Sequence, residues 1–529
     1  MIGRAIHWRT LGSMDRKWWT LLAVCIGTFM LLLDVTIVNT ALPYIERALD
    51  ASFSDLQWVI DAYALSLAAL LLTGGSLADL FGRRLIFVAG LVVFTIASLG
   101  CGLAESPLAL NLARAVQGVG GALMFATSLA LLASAFHGAD RGTAFGLWGA
   151  TTGAAVAIGP LVGGALTEGF GWEFIFFVNV PIGIGAIALT LAKVDESHAP
   201  SGGRIDWPGL VTFSGGLFCL IFALIRGNAE GWSSSLIVGL LAAAVILLVT
   251  FGLVEARRSD AMLDLSLFRS PTFNGASLAA FALSAAMFSM FLYLTLYVQN
   301  ALGYGALEAG LRFLPVTLLS FLVAPVSGKL AQRFGVRWFI AGGLALVGLG
   351  LLLMRTIGPA DEWTALLAGF MVAGGGIGLV NPALATAAIG VVEPQRAGMA
   401  SGINSTFRQV GIATGTSALG AVFTHIVNGQ AGAFGSAASR AGLDVAGTDR
   451  AGEFSDFISF GIFRQVGGGE PVLLAGREAF LEGLHTILLY AGVFALVSAV
   501  LCALLIRPGG FAHGEAPAAV REPEPAAAA

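Results

Sequence analysis

Long apolar runs recur along the chain, and short polar segments rich in glycine, proline or charged residues separate them. A run of about 20 apolar residues can cross the roughly 30 Å hydrocarbon core of a bilayer as a helix. Fourteen runs of this kind predict fourteen transmembrane helices. The predicted spans are 18–39, 56–77, 85–103, 108–136, 142–167, 174–192, 207–225, 233–254, 273–300, 311–328, 338–354, 363–389, 398–427 and 484–506.

The composition agrees with a chain that is embedded in lipid. Of 529 residues, 57% are hydrophobic and only 11% are charged, whereas soluble domains carry about 25% charged residues. The 71 glycines are typical of membrane helices, because small residues let helix backbones approach closely. The four cysteines lie far apart in apolar stretches without the spacing of a metal or redox site, so we interpret them as buried thiols.

The distribution of lysine and arginine between the short loops predicts the orientation. Positive residues are retained on the cytoplasmic side of a membrane. Eighteen fall on the side of the N-terminus, and four fall on the other side, namely Arg47, Arg226, Arg312 and Arg355. We therefore expect a multi-pass protein of the inner cell membrane with both termini in the cytoplasm. Its first apolar run is too long for a cleaved signal peptide, although the true start, Met1 or Met14, stays open.

The spans group into two bundles joined by cytoplasmic segments. The net charge of -4 points to no particular partner for any of them. Residues 428–483 are predicted to form a long extracytoplasmic loop, with an ordered cap as the alternative. The predicted boundaries are 1–17 for a cytoplasmic N-terminus, 18–192 for a first six-helix bundle, 193–206 for a cytoplasmic linker, 207–254 for two inserted helices, 255–272 for a second cytoplasmic linker, 273–506 for a second six-helix bundle and 507–529 for a disordered cytoplasmic tail.

An internal repeat supports this division. Residues 75–84 match residues 328–337 at six of ten positions, and both segments follow an apolar run. A second, shorter similarity relates GTAFG at 142–146 to GMASG at 398–402. Both pairs are offset by eight predicted helices rather than six. The seventh and eighth helices are therefore expected to be an inserted pair.

Six short motifs occur in order and carry a resemblance to a known family. They are LLDVTIVNTALP at 32–43, GSLADLFGRR at 75–84, RAVQGVGGA at 114–122, GPLVGG at 159–164, FFVNVPIG at 176–183 and GINSTFRQVG at 402–411. The chain resembles the major facilitator superfamily, specifically its fourteen-helix drug/proton antiporter branch of the EmrB/QacA type. The resemblance implies an all-α polytopic membrane protein with two pseudo-symmetric six-helix bundles plus two inserted helices. It also implies proton-coupled export of small amphipathic molecules by alternating access.

Three ionisable residues inside predicted spans, Asp34, Asp61 and Arg114, are candidates for proton coupling. A charge inside a bilayer costs at least a few kcal/mol, so such residues face the bundle interior and pair or titrate. At about 1.5 Å per residue, their depths place all three in the outer half, where we expect one shared pocket. The resemblance implies a coupling role for Asp34 and Arg114. Asp61 is a candidate second carrier, with a structural role as its alternative. The alternative is a purely structural Asp34–Arg114 ion pair.

The turn at 75–84 is a candidate cytoplasmic gate. Gly82 permits a tight bend, and the neighbouring arginines can bind acids or helix C-termini. The resemblance implies that Asp79 and Arg83 lock the cytoplasmic side while the cavity faces outward. For Arg84, the alternative is a positive charge that only fixes topology.

The predicted fifth helix carries glycines four residues apart, first Gly149 and Gly153, then Gly159 and Gly163. This spacing allows close helix packing, and Pro160 removes one helical hydrogen bond. The resemblance implies that the set Gly159, Pro160, Gly163 and Gly164 marks exporters rather than importers. Taken alone, it is a packing motif.

A substrate cavity is predicted from polar and aromatic residues in the spans. Arg408 is the other arginine inside a span and would contact either substrate or neighbouring carbonyl groups. Aromatic residues near helix ends can instead be interface anchors. The candidate cavity residues are Trp58, Tyr63, Gln117, Tyr293, Tyr297, Asn404, Phe407 and Arg408.

Other classes of function fit the sequence less well. No GxxxxGK[ST] phosphate loop is present, which excludes an ATP-driven pump. The six histidines are dispersed, so we expect neither an enzyme nor a metal site, and no cofactor besides the proton gradient as the energy source. The expected partners are an amphipathic drug or antibiotic, protons and membrane lipid, without nucleic acid; a periplasmic adaptor stays open. The closest rival is a proton symporter for uptake, ahead of a non-transporting membrane enzyme or scaffold.

Overall fold

The computed structural model describes residues 15–137, 139–197, 205–258, 262–393, 396–441, 458–459, 461 and 469–507. Residues 1–14 of the predicted cytoplasmic N-terminus, the predicted tail after residue 507 and the centre of the predicted outer loop lie outside these residues. The described chain is helical almost throughout. We number its long helical elements α1 to α14 in chain order.

The first bundle contains six of these elements. They are α1 (Arg16–Leu49), α2 (Phe53–Phe81), α3 (Arg83–Gly102), α4 (Pro107–Ala135), α5 (Ala139–Gly169) and α6, which is built from Phe174–Phe177 and Asn179–Lys193. The inserted pair is α7 (Trp207–Glu230) and α8 (Ser235–Glu255).

The second bundle contains the other six. They are α9 (Pro271–Ala301), α10 (Ala306–Phe334), α11 (Val336–Met354), α12, which joins a short 3₁₀ turn Trp363–Leu366 to Leu367–Gly390, α13 (Ala397–Arg440) and α14 (Glu470–Leu505). A π-helical turn, Ser284–Phe288, interrupts α9, and a second one, Tyr297–Ala301, ends it.

Thirteen helical segments of the described chain are long and apolar enough to cross a membrane. The helix outside that set is α5, whose 31 residues extend roughly 46 Å at about 1.5 Å per residue. It packs lengthwise between α1 and α10. The molecule is therefore an all-α polytopic membrane protein.

The termini of the helices follow from local sequence. Ser52 and Asp55 form a capping box at the start of α2, in which the Asp55 N–H donates to the Ser52 hydroxyl over 3.2 Å. At its other end, α2 stops at Gly82, which has a φ of 114°. The repeat-related Gly335 ends α10 with a φ of 88°. Positive φ suits glycine, which has no Cβ, so the same residue type ends both copies of the repeat.

The segment predicted as an outer loop differs from that expectation at both ends. Residues 428–440 continue α13, and residues 470–483 form the first turns of α14. The extension of α13 is rich in alanine, which favours helix, and it buries Phe434 in the core of the second bundle. Arg477 of α14 donates to the carbonyl oxygens of Ala301 (3.1 Å) and Pro359 (3.3 Å), which fastens this extension to the bundle.

The inserted helices lie at the periphery. α7 packs against α2 and α13, whereas α8 packs mainly against α7. Val245, Ile246 and Val249 on α8 are each more than half exposed. Apolar side chains on this outer surface are suited to contact lipid.

Candidate functional site

Asp34 on α1 lies at the centre of a buried polar network in the first bundle. Its side chain is fully buried, and Arg114 of α4 donates to it over 2.5 Å. Gln117 of α4 and Asn179 of α6 donate to the other carboxylate oxygen over 2.9 Å and 3.0 Å. The carboxylate thus accepts three hydrogen bonds, which compensate part of the cost of burying its charge. The network joins α1, α4 and α6.

Arg114 is held on several sides. Its Nε donates to the carbonyl oxygen of Val59 over 2.9 Å, and its Nη1 also donates to Gln117 over 2.6 Å. The ring of Tyr63 lies 4.3 Å from the guanidinium carbon, a cation–π contact. Tyr63 is itself buried, and its hydroxyl has no hydrogen-bond partner among the described residues. In this conformation Tyr63 and Gln117 therefore surround the ion pair rather than line an open cavity.

The expectation that Asp61 shares this pocket is wrong. Trp58, Asp61 and Leu65 lie on the opposite face of α2 from Val59 and Tyr63, and this face packs against α7. Trp58 contacts Phe222 of α7 with ring centroids 5.5 Å apart, and Leu65 packs near Ile221. The cation that acts on Asp61 is Arg226 of α7, which also donates to Gln57 over 2.8 Å.

Two of the predicted cavity aromatics belong to the core of the second bundle. Tyr293 packs on Phe423 with ring centroids 5.0 Å apart, and Tyr297 packs on Phe480 at 5.8 Å. Tyr297 is fully buried. Both residues therefore fill the interior between α9, α13 and α14, and the expectation that they line a cavity is wrong for this conformation. Phe407 is half-buried against the same core.

Arg408 on α13 is buried in the second bundle and interacts with amides. Its Nη2 donates to Asn381 of α12 over 3.0 Å, and its Nε donates to Asn404 over 3.3 Å. Within the described ranges no carboxylate pairs with it. The Nδ2 of Asn404 is buried and also has no partner there.

The predicted gate residues lie where the two bundles meet, at the end of the molecule that carries both termini of the described chain. Asp79 accepts hydrogen bonds from the backbone N–H groups of Gly398 (3.0 Å) and Met399 (2.8 Å) at the start of α13. Arg83 pairs with Asp79 over 2.9 Å. Arg84 instead donates to the Val194 carbonyl over 3.1 Å, so it stays within the first bundle.

Gly82 lies beside the same turn but faces a different partner. A Cβ at this position would come within 2.7 Å of the Glu196 carboxylate, which accepts a hydrogen bond from the Arg84 N–H over 2.9 Å. The glycine therefore permits both the bend after α2 and the approach of the segment that follows α6.

Each of the two copies of the sequence repeat supplies one close contact at this interface. A Cβ on Gly75 of α2 would overlap the carbonyl of Gly398 on α13, and one on Gly328 of α10 would overlap the carbonyl of Gly142 on α5. One turn further in, a Cβ on Gly402 would lie 2.8 Å from the Leu71 carbonyl, and one on Gly146 would lie 2.8 Å from the Pro325 Cα. The two bundles thus meet through two equivalent backbone contacts, α2–α13 and α5–α10.

The glycines of α5 contact different helices in its two halves. Those in its first half, Gly146 and Gly149, face α10 and α12 of the second bundle. Gly159 and Gly163, in its second half, face Thr36 and Thr40 of α1 in its own bundle. Pro160 lies within this helix, and Gly164 is half-buried. The closest glycine contacts of α5 with the second bundle therefore lie towards the side that carries Asp79, although α5 runs along α10 for much of its length.

Three residues of these networks were not singled out from the sequence. Asn179 bonds Asp34, Ser98 accepts from Gln117 over 2.7 Å, and Asn381 accepts from Arg408. All are uncharged polar residues inside apolar runs. Such residues in a membrane helix tend to face other helices and hydrogen-bond there, which is the signal that identifies them.

Comparisons with known proteins agree with this architecture. The family model described as Major Facilitator Superfamily matches residues 24–416. The chain is 33% identical to the tetracenomycin C resistance and export protein of Streptomyces glaucescens, over 94% of this chain and 93% of that protein. It is 37% identical to the multidrug resistance protein Stp of Mycobacterium tuberculosis, over 76% of this chain and 75% of that protein.

A solved structure gives a likeness in fold alone. The human organic anion transporter MFSD10 (TETRAN) superposes with a TM-score of 0.60 at 14% identity. The superposition covers 92% of this chain and 100% of that one.

Proposed function

Because this chain belongs to the Major Facilitator Superfamily, we propose that it is a drug exporter powered by protons that bind at Asp34. It is a multi-pass membrane transporter of the drug-efflux kind, like its relatives named for resistance and export. We propose further that the transporter lies in the inner membrane with both termini in the cytoplasm, and that Asp34 and Arg114 couple export to protons. An amphipathic drug or antibiotic would be the cargo, and no cofactor would be needed.

The observation that carries the proposal is the buried Asp34–Arg114 contact of 2.5 Å. Asp34 is the acid of the first bundle that lies completely inside its helices, so a proton that reaches it crosses part of the membrane. While Asp34 is ionised, its charge attracts Arg114 and holds α1 against α4. A proton on Asp34 would remove that attraction, so protonation is linked to the packing of the first bundle.

The contacts at the Asp79 end support alternating access. There the bundles are joined by Asp79 and by the glycine pairs Gly75–Gly398 and Gly328–Gly142. Beyond its midpoint α5 turns its glycines to α1, away from the second bundle. The predicted cytoplasmic side is thus tightly packed, as expected for a conformation that releases drug to the outside. Protonation of Asp34 from the outer side would then precede the return to the opposite conformation.

Purified protein in liposomes tests this proposal. The lumen is made acidic, valinomycin and potassium clamp the membrane potential, and uptake is measured for two xanthene dyes, anionic carboxyfluorescein and cationic tetramethylrhodamine ethyl ester. We expect the pH gradient to drive the uptake of at least one dye, and a protonophore or Asp34→Asn to abolish that gradient-driven uptake. Uptake that is equally fast without a gradient, or in Asp34→Asn, would contradict proton coupling through Asp34.

A matched control variant distinguishes the loss of proton coupling from a general effect of removing a carboxylate. Asp195→Asn removes a carboxylate that pairs with Arg16 at an exposed site outside the polar network. Exposed ion pairs contribute little to stability, so this variant should keep wild-type transport. Asp34→Asn should nevertheless bind dye, because it lacks the proton step rather than the cavity.

A further inference from the structure

The charges inside the helices are distributed unequally between the two bundles. In the first bundle the Asp34 carboxylate compensates Arg114. In the second, Arg408 is only 6% exposed and contacts two amide oxygens in place of a carboxylate, within the residues that the structure describes. A buried charge without a counter-ion is costly. An arginine kept in this situation therefore requires a compensating group from elsewhere.

Two polar groups that can donate hydrogen bonds lie close to the amides that bind Arg408 and lack partners among the described residues. A guanidinium has five N–H groups, and two of those of Arg408 are used on Asn381 and Asn404. These bonds occupy the amide oxygens and leave the Nδ2 of Asn404 without a partner in the described chain. The buried hydroxyl of Ser320 likewise lacks one there. Free donors around a cation suit an oxygen anion.

A small cavity adjoins this cluster between the two bundles. Asn381, which binds Arg408, lines it together with Thr317 and Ser320 of α10 and Thr152 of α5, while Phe291 and Ile377 supply apolar surface. Arg408 lies eleven residues into α13, or about 16 Å from its start at about 1.5 Å per residue. This depth is near the middle of a bilayer, where the substrates of transporters with repeated bundles bind.

We propose that the exported drug carries an anionic oxygen, a carboxylate or an acidic phenol, which pairs with Arg408 in this cavity. This inference rests on the proposed export function and adds its substrate class. Ser320 and Asn404 would donate to the same group, and the hydrophobic part of the drug would lie against Phe291 and Ile377 in a conformation in which this cavity, here about 20 Å³, is wider. Thr152 places α5 of the first bundle on the other side, so a bound anion would contact both bundles.

The two xanthene dyes used above test the charge preference, because they share a ring system and differ in charge. We expect wild-type vesicles to take up carboxyfluorescein about tenfold faster than tetramethylrhodamine ethyl ester, because only the carboxylate dye can form a charged hydrogen bond with Arg408. Arg408→Gln should slow carboxyfluorescein uptake by about tenfold or more, the range expected for a lost hydrogen bond to a charged group. Arg408→Lys, which keeps the charge, should retain an intermediate rate.

Two controls keep this result interpretable. Arg312→Gln removes an arginine at the outer end of α10, where it stacks on Tyr304, and it should leave the dye preference unchanged. The melting temperature of Arg408→Gln should equal or exceed that of the wild type, because the substitution removes a buried, uncompensated charge. A lower melting temperature, with equal loss of uptake for both dyes, would overturn the inference in favour of a structural role.

The other outcomes separate the inference from the proposed function. Gradient-driven uptake of the cationic dye alone, unaffected by Arg408→Gln, would overturn the anion site and leave proton-coupled export standing. Uptake of neither dye would count against both. Uptake of carboxyfluorescein that depends on Arg408 but not on the pH gradient would support the anion site and contradict proton coupling.

Discussion

Asp79 near the end of α2 accepts a hydrogen bond of 3.0 Å from the backbone N–H of Gly398 at the start of α13. A second bond of 2.8 Å from Met399 reaches the other oxygen of the same carboxylate. The Asp79 carboxylate therefore lies at the N-terminus of a helix from the opposite bundle, where the positive end of the helix dipole favours a negative charge. This contact joins the two bundles electrostatically at the predicted cytoplasmic side.

We expect Asp79→Asn to open that side. Hydrogen bonds to a charged group contribute about 1.5–3 kcal/mol, so the population of the closed conformation should fall by about tenfold or more relative to the open one. Phe81 and Phe334, at the ends of α2 and α10, are 51% and 59% exposed and can carry spin labels. Double electron–electron resonance then measures the distance between the two labels, one on each bundle. The distance distribution should widen and move to longer values.

The control for this measurement is Asp195→Asn, which removes an exposed carboxylate without touching the interface between the bundles. Its distance distribution should match that of the labelled parent. If Asp79→Asn also gave the parent distribution, the carboxylate would not hold the bundles together.

Gly75→Ala should impair transport because the two bundles could no longer approach. Its Cβ would overlap the backbone carbonyl of Gly398, which cannot move aside as a flexible side chain can. Gly342→Ala is a suitable comparison, since a Cβ on this α11 glycine has nothing within 4 Å. Overpacking a tight contact costs about 1–3 kcal/mol, so we expect dye uptake to drop about tenfold in Gly75→Ala and to be unchanged in Gly342→Ala.

The equivalent substitution in the other copy of the repeat extends this test. Gly328→Ala would overlap the carbonyl of Gly142 in the same way. Both variants should be defective if closure requires both glycine contacts. Normal uptake in either one would show that the close approach at that pair is dispensable.

The sequence predicted the helices and the pairing of Asp34 with Arg114, but not the direction in which every side chain points. Depth along a helix follows from residue number, so Asp34 and Arg114 were expected at one level, and they do meet. Asp61 has a suitable depth but lies on the face of α2 that contacts α7. An apolar run gives no information about which face meets which neighbour.

The same limitation explains the aromatic residues and the outer segments. Tyr293 and Tyr297 lie one turn apart on α9, and a sequence cannot distinguish a face that lines a cavity from one that meets α13 and α14. The sequence predicts a loop at residues 428–440 because this segment is only partly apolar and contains asparagine, glutamine, serine and arginine. Hydropathy measures compatibility with lipid, whereas helix formation there depends on propensity and on burial of Phe434.

The contact between Asp264 and Arg396 should depend on pH only in strongly acidic solution. Hydrogen bonds from Ser266, together with the nearby Arg396 guanidinium, lower the pKa of Asp264 from its ordinary value. A carboxyl group with a lowered folded-state pKa stabilises the fold above its unfolded pKa of about 3.9, and that stabilisation is lost as the pH falls through the folded pKa. Between pH 5 and 8 its contribution should therefore be constant.

Melting temperatures of the wild type and Asp264→Asn can check this. The side chains of Arg396 and Asp264 are 53% and 35% exposed, and such ion pairs contribute roughly 0–1 kcal/mol. The difference in melting temperature between the wild type and Asp264→Asn should therefore be small and should be the same at pH 5, 6.5 and 8. The exposed neighbour Glu393 provides the control variant Glu393→Gln, which should show no difference. A gap that changed between pH 5 and 8 would contradict the lowered pKa.

The final prediction separates the structural from the functional role of the Asp34–Arg114 pair. Removing one partner of a buried ion pair leaves the other charge uncompensated, which costs about 3–5 kcal/mol. Arg114→Gln should therefore lower the melting temperature strongly, because Asp34 would keep its charge with only Gln117 and Asn179 as donors. Asp34→Asn should do likewise by leaving Arg114 unpaired.

The double variant Asp34→Asn/Arg114→Gln should recover much of that stability, because neutral amides replace both charges in the same polar network. If the pair only held α1 to α4, transport would recover together with stability. If Asp34 binds the coupling proton, gradient-driven dye uptake should stay absent in a protein that melts close to the wild-type temperature. Stability and uptake measured on the four members of this cycle would thus decide between a structural ion pair and a proton-coupling site.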